Sequence, residues 1–159
     1  MSGYIDKGDW HFLAEEFPEG APQEKAGTHM GVYIAWIINN DLIGELYSDE
    51  CAAEIGMVKE RIITGRIFLI NECDFCLTEE EFNDEGLAFT LYYYSDNNLN
   101  NDKVVKQYLM DYAEMFIKEP MTFWDVEDTW ENYDKIKPVI DERFRSWKAV
   151  RKIYEQNEV

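Results

Sequence analysis

The chain has 159 residues, of which 15 are Lys or Arg and 33 are Asp or Glu, for a net charge of −18, and 15% are aromatic. That length suits one domain with one core, the aromatic content beside nine Gly and four Pro excludes a disordered chain, and the charge repels nucleic-acid phosphate and anionic lipid. Three cysteines, no signal-peptide pattern and no apolar run near the ~20 residues of a bilayer span predict a reduced, cytoplasmic protein without a membrane segment.

Residues 1–27 hold Pro18 and Pro22 within FPEGAP and keep no sustained period, so they read as an extended arm pinned by Trp10, Phe12, Leu13 and Phe17. Thr28 is placed to cap a helix running to about Asn40. That helix is apolar on nearly every face, through Met30, Val32, Tyr33, Ile34, Trp36, Ile37 and Ile38, and is expected to be the central buried element. A buried strand is the competing reading. Ser48 or Asp49 can cap a helix to about Lys59, and Thr64 a short one to about Glu72. In TEEEF, 78–82, Thr78 and Glu81 form a capping box that predicts a helix from 79 to about 94, with Phe82, Phe89 and Tyr93 on one stripe.

SDNNLNND, 95–102, reads as a loop ending in the cap Asp102. Val104, Val105, Tyr108, Leu109, Tyr112, Ala113 and Phe116 then mark one helical face, closed by Glu119 and Pro120. Asp128 and Glu131 suggest a second capping box. Behind it Trp130, Tyr133, Ile136, Ile140, Phe144, Trp147, Val150 and Tyr154 keep helical spacing to the C-terminus, with Pro138 at a kink or in the first turn of a new helix. Strand signals are poor, and a small hairpin near 42–47 or 121–126 is the expected exception. The fold is therefore predicted as mainly α, one compact helical domain over 1–159, with an extended arm (1–27) and a helical body (28–156).

Chemistry is sparse. CDFC at 73–76 has the spacing of half a zinc site, but no second pair follows and no βαβ pattern favours redox use, so ordinary thiols, no metal and no cofactor are expected. No GxSxG occurs. His11 and His29, the only histidines, could meet in space, and with Asp9, Glu15 or Glu16 one could serve as a general base. The competing reading makes both polar fasteners between arm and core, and it is preferred.

Acidic residues cluster at 79–81, at 84–85 and in VEDTWENYD, 126–134. Metal-dependent nucleases also gather acids but need a field of the opposite sign. Residues 135–159 carry seven basic and four acidic residues, a net of +3, so residues 1–134 carry −18 − 3 = −21. The basic tail is expected to lie on the acidic body. Acids interleaved with Trp124, Trp130 and Tyr133 suit a protein partner whose groove is basic.

The chain resembles a family of small bacterial proteins, a domain of unknown function. The residues that carry the likeness are the WH element at Asp9 to His11, Phe17 to Ile37 (FP...P...A.THxGxxxAWxI), ITGRIFLINECD, NDEGLAF and DTWENYDKIKPVIDERFRSWK. Small acidic members of this kind resemble the immunity proteins that accompany polymorphic or secreted toxins. That likeness implies a cytoplasmic inhibitor of a cognate toxin domain, itself basic if it acts on nucleic acid, and implies no catalytic residue. The expected partner-binding residues are Glu79, Glu80, Glu81, Asp84, Glu85, Trp124, Asp125, Glu127, Trp130 and Glu131. Trp10, His11, Thr28, His29, Trp36, Trp130, Tyr133 and Trp147 are expected to be structural. The alternatives are an enzyme or small-ligand protein using His11 and His29, and a homo-oligomer that lays its basic C-terminal helix on a neighbour.

Overall fold

In a computed structural model, residues 3–95 and 107–157 are described, and they form eight α-helices and a two-stranded sheet. In chain order these are β1 (Tyr4–Lys7), α1 (Gly8–Phe12), α2 (Thr28–Asn39), α3 (Glu45–Glu50), α4 (Ala52–Lys59), α5 (Gly65–Glu72), β2 (Cys76–Thr78), α6 (Asp84–Tyr93), α7 (Gln107–Phe116) and α8 (Trp130–Asn157). The mainly α class expected from periodicity is the one found. The 96–102 part of the expected loop, the Asp102 cap, Val104 and Val105 lie outside the described residues.

Helix α2 is the axis of the molecule because it has no polar face to turn outward: eleven of its twelve residues are buried. It packs closest on α5, where two glycines let the backbones touch. A Cβ on Gly65 would fall 1.9 Å from the Gly31 carbonyl oxygen, and one on Gly31 would fall 2.4 Å from the Arg66 nitrogen. On its other side α2 meets an aromatic layer. Tyr33 contacts Tyr94 and Tyr108 at 4.9 and 5.0 Å between ring centroids, and Trp36 contacts Phe89 and Phe144 at 5.5 and 5.3 Å. The buried Trp36 indole N–H donates to Asp141 at 2.8 Å and Tyr133 accepts from Asn39 at 3.1 Å, so α8 is tied to α2 by polar as well as apolar contacts.

Several local expectations are corrected. Thr28 is the first residue of α2 and not its cap; its hydroxyl accepts from Arg66 at 3.1 Å. Neither Ser48 nor Asp49 caps a helix, since α3 already begins after Gly44 and breaks at Cys51. Thr64 does cap α5, accepting from the Ile67 N–H. The Thr78–Glu81 capping box exists, but it closes only a 3-10 turn, Glu79–Glu81. Phe82 then turns extended to bridge Ile43, and Asn83 caps α6 by accepting from the Gly86 N–H at 2.8 Å. Asp128 does not cap α8: Thr129 accepts from the Asn132 N–H, while Asp128 accepts from the Thr64 hydroxyl and pairs with Arg66 at 3.3 Å. α8 runs without a break through Pro138, which removes one helix hydrogen bond but sits between Ile136 and Ile140, both fully buried.

The expected hairpin is found at neither position. Segment 42–47 supplies the single Ile43–Phe82 bridge and then α3, and segment 121–126 holds a 3-10 turn, Phe123–Asp125. The sheet instead pairs β1 with β2 antiparallel, Tyr4 opposite Thr78 and Lys7 opposite Cys76. No local turn joins such distant segments, so no turn chemistry announces them. The arm is correspondingly folded and not extended: β1 leads directly into α1, and a 3-10 turn, Gln23–Gly27, feeds α2.

What holds the arm is the CDFC segment. Asp74 and Phe75 both have left-handed backbones, φ 51° and 58°, which aims the Phe75 ring between two glycines. A Cβ on Gly8 would lie 1.7 Å from Phe75 Cδ1, and one on Gly27 would lie 2.3 Å from its Cε2. The Gly8 N–H also donates to the Phe75 carbonyl at 2.9 Å. The half-zinc spacing is thus a clamp. Its thiols are free, Cys73 buried and Cys76 partly so.

Candidate functional site

The two histidines do meet, with ring centroids 4.6 Å apart, edge to face. His11 comes from α1, and His29 from the first turn of the buried α2. The acid between them is Asp6 on β1, not Asp9, Glu15 or Glu16. Asp9 pairs with Lys7 at 3.6 Å, and Glu15 and Glu16 are exposed. Asp6 Oδ1 accepts from His11 Nε2 at 2.6 Å and from its neighbour's backbone, the Lys7 N–H, at 2.8 Å. Asp6 Oδ2 lies 3.0 Å from His29 Nε2 and accepts from the Tyr94 hydroxyl at 2.5 Å.

Strand pairing sets this geometry. Tyr4, Ile5, Asp6 and Lys7 extend against β2, so Ile5 is buried in the core and Asp6, with no exposed surface, faces the start of α2. Burial alone would push the Asp6 carboxyl up. The hydrogen bonds from His11 and His29, with their charge, overcome that and hold it well below the usual carboxylate range. Tyr94 is pushed the other way, first by burial and then by the Asp6 charge. The Tyr108 hydroxyl donates to the His29 carbonyl at 2.5 Å, so α2 is held at this residue by its backbone as well.

The segment between α7 and α8 closes over the pair. Phe123 lies 4.8 Å from the His29 ring and Trp124 lies 5.8 Å from the His11 ring, with Phe17 behind Trp124 at 5.3 Å. His29 is 1% exposed and His11 19%, so solvent reaches the cluster on the His11 side. Two imidazole nitrogens and a carboxylate within 4.8 Å of one another are a donor set able to hold a metal ion. Asp6 lies only five residues before His11, as close as Glu16 on the other side, but nothing in the sequence shows that strand pairing buries it there, and Tyr94 has no partner nearby in the chain. The only trace is the alternation in Tyr4–Lys7, which puts Ile5 and Asp6 on opposite faces.

The surface acids fall into two groups. Asp84 and Glu80 are exposed, Glu79 and Glu85 are partly buried, and Glu85 is paired with Lys148 at 3.1 Å. Glu81 is 2% exposed and turned inward, accepting from the Tyr47 hydroxyl at 2.7 Å and from Thr78. It offers nothing to a partner. Asp125, Glu127 and Glu131 are exposed around half-buried Trp124 and Trp130. Asp125 accepts from the Thr122 N–H at 2.7 Å, and Trp130 is packed on Tyr133 and on the Arg61 guanidinium, 4.9 Å from its ring. Lys148, beside Glu85, stands 18 residues beyond Trp130 on α8, which is about 27 Å of helix. Glu85 therefore sits well along α8 from the acids around Trp130 and does not share one face with them.

The remaining structural candidates lie in the interior or on it. Trp36 and Tyr133 are buried, Trp147 stacks on Phe144 and lies tilted against Phe89, and Trp10 is half exposed, 6.3 Å from Tyr4. The basic end of α8 does touch the acidic body, through Arg143 to Asp111 at 2.9 Å and Lys148 to Glu85. Beyond that point Val150, Ile153 and Tyr154 are exposed. Among the described residues no helix is long and apolar enough to cross a membrane.

The chain belongs to the DUF7832 family, a domain of unknown function, whose match covers residues 4–124. The matched span holds Asp6, His11, His29 and Tyr94 together with Trp124, and it stops short of the DTWENYD element and α8. No curated protein and no solved structure matches the chain.

Proposed function

We propose that this DUF7832 chain is an immunity protein, which binds a cognate toxin domain and blocks it through an acidic surface. The observation that carries the reading is the charge: −18 overall, and −21 over residues 1–134. A field of that sign speeds the encounter with a basic partner, from about 10⁵–10⁶ M⁻¹s⁻¹ for a neutral pair towards 10⁸ or more at low salt. A toxin acting on nucleic acid must itself carry a basic groove, so it is the partner this field selects.

The end of α8 that begins at Trp130 supports the interface better than the other. There Asp125, Glu127 and Glu131 surround two half-buried tryptophans, and a rigid aromatic within a charged rim is the usual anatomy of a binding hot spot. Farther along the helix Glu85 is already committed to Lys148.

The test has two stages. A toxin-domain gene beside this one would be co-expressed, and the two products should co-purify. Asp125→Lys, Glu127→Lys and Glu131→Lys combined should then slow association at low salt and flatten its salt dependence, while Glu80→Lys with Asp84→Lys should have the smaller effect. Failure of the neighbouring product to bind, or an association rate indifferent to salt, would refute the reading.

A further inference from the structure

We infer that Asp6, His11 and His29 form a site for one divalent first-row transition-metal ion of the zinc class. Three observations converge on it. The donors are two imidazole nitrogens and one carboxylate, the mixed nitrogen and oxygen set that zinc and its neighbours prefer over calcium or magnesium. They come from β1, α1 and α2, three elements locked together by the β1–β2 ladder and by Phe75 wedged between Gly8 and Gly27, so the triangle is built before any ion arrives. Its oxygens are also oriented from behind: Tyr94 and the Lys7 N–H each hold one oxygen of Asp6, which is the outer support that metal-binding carboxylates have.

Charge supplies the reason. A carboxylate with no exposed surface must be matched by positive charge. Among the described residues, the ion-pair partners of Asp6 are both histidines, and Lys7 next door is spent on Asp9 and the Tyr4 ring. A cation held between the two imidazoles would supply such charge directly at Asp6. Distances allow the ion. Ligand atoms about 2.0–2.1 Å from zinc stand roughly 3.3 Å apart at tetrahedral angles. The His29 separation is 3.0 Å, to Asp6 Oδ2, and the His11 separation 2.6 Å, to Asp6 Oδ1, so both contacts have to lengthen on loading, that of His11, the one partly exposed member, by about 0.7 Å. The vacated side faces Trp124 and solvent, where a fourth ligand, water or an anion, can enter.

The whole chain, stripped with a chelator and then dialysed free of it, is titrated with Zn²⁺ by calorimetry and with Co²⁺ by visible absorption. One ion per chain is expected, with a cobalt spectrum lacking the near-ultraviolet band of thiolate ligation. His11→Ala removes a partly exposed ligand, and circular dichroism reports whether that variant keeps its fold. Its affinity should fall about tenfold or more, whereas Cys51→Ser, Cys73→Ser and Cys76→Ser combined should bind as the wild type. Zinc-edge X-ray absorption of the wild type gives a reading independent of any variant and should show nitrogen and oxygen neighbours only. No binding, a sulfur shell, loss of binding in the cysteine variant, or full binding in a folded His11→Ala would each overturn the site. The first of these would leave the three residues as a hydrogen-bonded fastener.

Discussion

Asp6→Ala should be among the most damaging single substitutions in this protein. Asp6 accepts from four donors: His11 at 2.6 Å, His29 at 3.0 Å, Tyr94 at 2.5 Å and the Lys7 N–H at 2.8 Å. Truncation strands two of them where water cannot follow, since His29 is 1% exposed and Tyr94 not at all. A buried donor left without an acceptor costs about 1–3 kcal/mol, so the two cost about 2–6, and removing one partner of a buried charged pair costs about 3–5. Relief of the desolvation that Asp6 itself suffers works against these. The expected loss is about 3–4 kcal/mol, or a Tm lower by roughly 6–16 °C in a domain of this size. Urea unfolding at neutral pH with a chelator present, followed by tryptophan fluorescence, reads the hydrogen-bonding term alone. Glu16→Ala, at an exposed acid five residues after His11, should be indistinguishable from wild type. If Asp6→Ala costs less than about 1 kcal/mol at unchanged m value, Asp6 is not the hub described, and the arm is held by Phe75 and the strand ladder.

Other consequences can be measured as directly. Gly65→Ala forces a Cβ to within 1.9 Å of the Gly31 carbonyl and should destabilise by about 1–3 kcal/mol or more; an unchanged urea midpoint would contradict the α2–α5 contact. Burial would push the Asp111 carboxyl up, but hydrogen bonds from Arg143, Tyr93 and Gln107 hold it below the ordinary range. A lowered carboxyl stabilises above its unfolded pKa of about 3.9, and that contribution is lost as pH falls through the folded value. Asp111→Asn should therefore flatten the acid limb of the stability curve, and a limb of unchanged slope would show that the Arg143 pair is screened away. Burial also pushes the Cys73 thiol up. A thiol reagent at mildly alkaline pH should modify Cys76 well before Cys73, with the difference abolished in urea; equal rates in the native protein would show that the clamp opens readily.

Periodicity made most of the helices legible, and the reason is local: a stripe of apolar residues at helical spacing specifies both the helix and the side it buries. Met30 to Ile38 announced a central element, and Tyr108, Tyr112 and Phe116 on α7 and Tyr133, Ile136 and Ile140 on α8 are all buried as their spacing predicts. Capping chemistry was less decisive. Thr64 behaves as expected, but Thr78 starts only a single turn, because Phe82 leaves the helix to meet Ile43. A cap stabilises a first turn, and whether the turn continues depends on what the next residue touches.

The sequence by itself determined a mainly α fold around one buried helix, the sign of the surface field and the presence of two histidines, one in the arm and one in the first turn of that helix. Only the tertiary structure decided what those histidines do. Nearness along the chain pointed to Asp9, Glu15 and Glu16, yet the carboxylate that binds both rings is Asp6, delivered by a strand whose partner lies about seventy residues away. The same structure separated the predicted acids, turning Glu81 inward and setting Glu85 beside Lys148, well along the long helix at whose start Glu131 stands. Local spacing records the free energy of forming an element; which side chains meet is set by the packing of elements, where burial raises the energetic consequence of every unmatched charge.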